Sequence, residues 1–139
     1  MSRRVAVLAL LLAGLLPLLA QADSVPRKAL RGFDEVHRAW ANAMRWGEGE
    51  EREPFLSVSG HQALDDFQRR RWEQVSISGY RERGRQQTPD GRLHVRAEVR
   101  LVNVHTLAER SVTVDEYWRW LPEQRVWRLD GLPDLWPEP

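Results

Sequence analysis

The chain has 139 residues, 21 basic side chains against 20 acidic ones, and no cysteine. Balanced charge gives no electrostatic case for nucleic acid or another polyanion. Without cysteine there are no disulfides, thiolate metal sites or cysteine nucleophiles, so stability has to come from packing. Seven tryptophans supply large apolar area for that purpose, with Trp118, Trp120, Trp127 and Trp136 crowded near the end.

The first 22 residues read as a secretory leader. Arg3 and Arg4 precede an unbroken apolar run, Val5 to Leu19, and Ala20-Gln21-Ala22 supplies the small-x-small cleavage pattern. The run is too short for a helix that crosses a hydrocarbon core of roughly 30 Å. Cleavage after Ala22 predicts a periplasmic or secreted bacterial protein with no stable membrane insertion. Asp23 to Pro139 is then one domain, ending in a Pro/Trp-containing tail from about residue 131.

The first mature element is an amphipathic helix from Pro26 to Trp46. Leu30, Phe33, Val36, His37, Trp40, Ala43 and Met44 recur at spacings of three and four, while Arg31, Asp34, Glu35 and Arg38 cover the other side. Ser24 suits the N-cap and Gly47 the stop. Gly47 to Pro54 (GEGEEREP) reads as an acidic loop. It lacks the alternating oxygen ligands of a calcium site, so no metal is expected.

Ser59 and Gln62 suggest a capping box for a second helix, from Gly60 to about Glu73, with Ala63, Leu64, Phe67 and Trp72 as its stripe. Arg69, Arg70 and Arg71 form its solvated face. From Gln74 the period becomes two. Val75 and Ile77 alternate with Ser76, Ser78 and Tyr80, and RERGRQQ extends this strand to a turn at Thr88-Pro89-Asp90-Gly91.

Leu93, Val95, Ala97, Val99 and Leu101 alternate with polar residues in a second strand, and Leu101-Val102 suggests a bulge or a region covered on both sides. A third strand, Arg110 to Leu121, puts Val112, Val114, Glu116, Trp118 and Trp120 on one side. Pro122 to Gln124 turns the chain into a fourth, Val126 to Asp130. Trp127 and Leu129 share a side, and Trp136 folds back as a plug. Helices followed by consecutive strands predict an α+β fold, with N-terminal helices packed on a curved four-stranded antiparallel sheet. The tryptophans are then mainly core.

That order, with the ending WRWLPEQRVWRLDGLP, resembles the nuclear transport factor 2-like superfamily, whose cystatin-like sheet wraps a long N-terminal helix into a cone. The resemblance implies either an isomerase, dehydratase or cyclase acting on a small apolar molecule, or a non-catalytic binding module. Members that isomerise carry a tyrosine on the first helix as oxyanion donor. Here no tyrosine lies between Pro26 and Trp46.

Polar residues inside apolar stripes are the site candidates. His37 lies in the helix stripe, with Asp34 one turn earlier and able to hold a ring nitrogen. Glu116 takes the inward phase of the third strand unless a bulge at Asp115-Glu116 turns it out. Tyr80 is a third candidate, although its phase opposes Val75 and Ile77. Converging in a cone, His37, Asp34, Glu116 and Tyr80 could do general acid–base work. The commoner role for a histidine in such a stripe is a core residue satisfied by Asp34 or a backbone carbonyl. Phe33, Trp40 and Trp118 would line a small-ligand pocket. His94 and His105 read as surface residues.

The expected function is an exported, non-catalytic envelope module binding a small apolar ligand or a protein partner, with no cofactor. A homodimer through an exposed sheet face is consistent with it. The alternative is a small-molecule isomerase or dehydratase built on the His/carboxylate group. An accessible cavity joining His37 to Glu116 would favour the enzyme or a ligand carrier, and a filled cone the module.

Overall fold

The computed structural model describes residues 25–62 and 65–137, the side chains of residues 61 and 62 excepted. The leader, Ser24, Ala63 and Leu64 lie outside the described residues. Helix α1 (Arg27–Trp46) buries Ala29, Phe33, His37, Trp40 and Met44, the stripe that its spacing predicts. Pro26 occupies the N-cap position with an extended backbone. Gly47 ends the helix for want of space rather than by a left-handed turn. Its φ is −85°, and a Cβ there would lie 2.7 Å from the Ala43 carbonyl oxygen and 2.9 Å from the Glu51 Cβ.

The stretch read as an acidic loop is instead ordered into a short helix α2 (Gly49–Arg52) and a 3-10 turn (Glu53–Phe55). The Glu51 carboxylate accepts from the Glu48 backbone N–H at 2.7 Å, closing the α2 N-terminus. Arg52 then donates back to the carbonyls of Met44 and Gly47, at 3.2 and 2.8 Å. Those are among the carbonyls that the end of α1 leaves without helical partners.

The second long helix is broken in two: α3 (Val58–Gln62) and α4 (Asp66–Glu73). Asp65 caps α4 by accepting from the Gln68 N–H. Ser57, not Ser59, accepts the Gly60 N–H at the start of α3. The expected stripe also fails at Phe67, which is 62% exposed, whereas Trp72 is buried.

The sheet is an antiparallel meander in the order β1-β2-β3-β4, comprising β1 (Val75–Gln87), β2 (Leu93–Asn103), β3 (Glu109–Leu121) and β4 (Val126–Leu129). The β2–β3 ladder runs without a break from Leu93 opposite Trp118 to Val102 opposite Glu109. The bulge suggested at Leu101-Val102 and the alternative one at Asp115-Glu116 are therefore both absent from this ladder, and Glu116 takes the inward phase opposite Val95. Irregularity falls on β1 instead, between Ile77 and Gly79 and between Glu82 and Gly84.

One apolar core joins α1 to the inner sheet face. It holds Phe33, Trp40, Val95, Val99, Trp118, Trp127 and Leu129, none more than 2% exposed. Trp118 and Trp127 meet Phe33 edge-on at 5.5 and 5.1 Å between ring centroids. The tail folds back as expected, but Leu135 is the plug. It is fully buried, while Trp136 is half-buried with its edge against Trp72.

Candidate functional site

The first β1 irregularity decides the site. Strict alternation from Ile77 would aim Tyr80 outward. The extra residue between Ile77 and Gly79 resets the phase, so Tyr80 pairs with the inward Val99 and Glu82 with the inward Ala97. Tyr80 thereby reaches the helix stripe from β1, and Glu116 reaches it from β3.

Glu116 is 1% exposed, and its two oxygens accept three side-chain donors. Trp40 Nε1–H donates to Oε1 at 2.7 Å and Trp118 Nε1–H to Oε2 at 3.2 Å. The Tyr80 hydroxyl donates to both oxygens, at 2.9 and 3.0 Å. Because that single hydroxyl proton is directed at Glu116, His37 Nε2 is the donor in its 2.8 Å bond to the Tyr80 oxygen. The ring of His37 stacks on Phe33 at 5.4 Å, and Nε2 lies 3.6 Å from Glu116 Oε2. Burial, the Glu116 charge and the hydrogen bond to Glu116 together raise the Tyr80 pKa well above the ordinary phenol value. Tyr80 is held as a neutral donor.

The other ring nitrogen corrects an expectation. Asp34 does not hold His37. It pairs with Arg85 at 2.7 Å, while His37 Nδ1 faces Glu82 Oε2 at 3.3 Å. Arg85 also donates to both Glu82 oxygens, at 2.6 and 2.8 Å. Hydrogen bonding from Arg85 is the main reason the Glu82 pKa is lowered, and the same bonds raise that of Arg85. Arg85 further lies over the Phe33 ring, 4.9 Å from its centroid. Glu82 and Arg85 thus complete the outer side of the network. Sequence reading missed both, because RERGRQQ carries no mark of which charged residue turns inward.

The network can hold protons and orient rings. It offers no open valence to a substrate, since both Glu116 oxygens are taken and His37 is 6% exposed. Phe33, Trp40 and Trp118, expected to line a pocket, are 0% exposed and belong to the core. Among the described residues no group of His, Asp or Glu is arranged to hold a metal, and no helix is long and apolar enough to cross a membrane.

Among the described residues, two clefts that open elsewhere are not lined by His37, Tyr80 or Glu116. One, of about 560 Å³, lies between α4 and the tail, with Phe67, Trp72 and Trp136 in its wall. The other, of about 890 Å³, lies between α1, the 3-10 turn and the β3–β4 hairpin. Trp120, partly exposed and paired across the strands with the buried Trp127, contributes an indole to its wall.

On the outer sheet face His94 is half-buried, stacked on Tyr117 at 4.8 Å and bonded to Asp115 at 2.7 Å. His105 is exposed. Neither belongs to the inner network. Comparison of the chain with family models, with curated proteins and with solved structures returns no match.

Proposed function

We propose that this chain is an exported, non-catalytic envelope module of the nuclear transport factor 2-like kind, binding a small apolar ligand. The observation that carries the reading is the saturation of Glu116. A general base needs a free lone pair directed at a substrate proton, and this carboxylate spends its oxygens on Trp40, Trp118 and Tyr80 inside the core. His37, the other candidate base, is 6% exposed, bonded through Nε2 to Tyr80 and stacked on Phe33. The candidate catalytic group is better understood as a polar brace locking α1 to β1 and β3.

The long helix, the antiparallel meander and the bulged first strand support the cone. The leader pattern in residues 1–22 supports export. Intact mass of protein recovered from the periplasm or medium should correspond to a chain starting at Asp23; recovery of the full-length chain in the membrane fraction would refute export. The non-catalytic reading is tested by removing the Glu116 acceptor. A brace loses stability, whereas a catalytic base loses turnover and keeps its fold.

A further inference from the structure

Two residues break local rules on one surface. Gly32 sits inside α1, where glycine costs roughly 1 kcal/mol relative to alanine. Its packing does not require glycine, because a Cβ there would meet nothing within 4 Å. Arg125 adopts φ 54°, a left-handed conformation that favours glycine or asparagine. Both line the 890 Å³ cleft between α1 and the β3–β4 hairpin. Leu107, the other non-glycine residue at positive φ among the described residues, lies in the β2–β3 turn and does not line the cleft. Arg125 closes a hairpin turn, where a left-handed residue is common; at Gly32 local preference is overridden without a packing gain, and such positions point to function.

The chemistry of the cleft is amphiphilic. Val36, Phe55 and Trp120, all partly exposed, give it apolar walls, and its volume falls within the range of roughly 300–1,000 Å³ usual for small-molecule sites. Lys28, Arg125 and Arg128 also line it, against the single carboxylate of Glu35. Among the described residues none of these three cations has a carboxylate partner. Elsewhere Arg83, Arg85, Arg92, Arg96, Arg100 and Arg119 are paired with carboxylates, whereas Arg81 and Arg110 are not among the described ion pairs. The missing side chain at Gly32 keeps the helix wall of the cleft open.

We propose that this cleft binds a small amphiphilic anion, with its apolar body against Trp120, Phe55 and Val36 and its monoanionic head, such as a carboxylate, among Lys28, Arg125 and Arg128. The assignment rests on the reading of the protein as a binding module and names its ligand class.

The test is calorimetric titration of the folded protein with decanoate, decan-1-ol, decyltrimethylammonium and acetate, with tryptophan fluorescence as a second readout. Decanoate should bind roughly tenfold or more tighter than the alcohol or the cation, and acetate should not register. Arg125→Asn with Arg128→Gln should weaken decanoate by about tenfold or more and leave decanol within about twofold. Gly32→Leu should abolish decanoate binding while holding or raising the melting temperature, since leucine fills the cleft and favours helix. No decanoate binding, or equal binding of decanoate and decanol, would overturn the ligand class. Wild-type affinity in Gly32→Leu would overturn the location. Either failure leaves the non-catalytic reading standing, because that reading is judged by the stability of Glu116 variants.

Discussion

Glu116→Leu is the sharpest perturbation of the brace. Leucine is close to glutamate in size, so the change removes an acceptor without opening a large cavity. Three donors lose their partner: Trp40 Nε1–H, Trp118 Nε1–H and the Tyr80 hydroxyl. The hydroxyl can turn its proton to His37 Nε2, 2.8 Å away, once the ring takes the other tautomer. The two indoles belong to side chains that are 0% exposed, so water does not replace the lost acceptor. At about 1–3 kcal/mol per orphaned buried donor, they cost about 2–6 kcal/mol. Relief from burying a carboxylate offsets part of this, leaving about 2–4 kcal/mol of the roughly 5–15 that a domain possesses. Urea unfolding followed by circular dichroism should show a midpoint lowered by about 1 M or more at unchanged slope. In a Trp40→Phe background, where one indole is already gone, the same substitution should cost measurably less. A midpoint within about 0.3 M of wild type would mean that the carboxylate is not a structural acceptor, and the brace would be refuted.

Two further predictions follow from the same geometry. Tyr80 should be missing from the phenolate step near pH ~10 in an ultraviolet titration, so Tyr80→Phe should leave that step unchanged; a lost step would show Tyr80 titrating as an ordinary phenol. Because the folded Glu82 pKa is lowered, its contribution is present above the unfolded value of about 4.5 and is lost as pH falls through the folded value. The melting temperature of Glu82→Gln should therefore approach wild type below that window, and a pH-independent gap between the two would contradict the assignment.

The parts of this fold set by local pattern were legible in the sequence. The α1 stripe and the alternation in β2 and β3 each depend on one element's period, and both place His37 and Glu116 on the inward face. The tryptophans Trp40, Trp118 and Trp127 are core, as a cysteine-free domain of this size requires. Tyr80 is a candidate from the sequence, but its inward face was not legible, because one extra residue after Ile77 reverses it without altering composition. The partner of His37 was missed for a related reason. Asp34 is its neighbour along α1, but Arg85 arrives from β1 and captures that carboxylate, leaving Glu82 to face the ring. Sequence proximity lost to a contact across 51 residues. Phe67 failed because its helix is capped afresh at Asp65, so the stripe extrapolated from Ser59 does not carry through.

The closed state of the His37–Tyr80–Glu116 brace is best tested by hydrogen exchange of the indole N–H groups, followed by NMR. Trp46, 76% exposed at the end of α1, serves as the fast internal reference. Trp40 and Trp118 donate to a buried carboxylate within the core. Their indole protons should exchange only through large-scale opening, with protection close to the global unfolding free energy. Exchange of either at a rate near that of Trp46 would reveal solvent access to Glu116, and the account of this group as a sealed structural brace would be wrong.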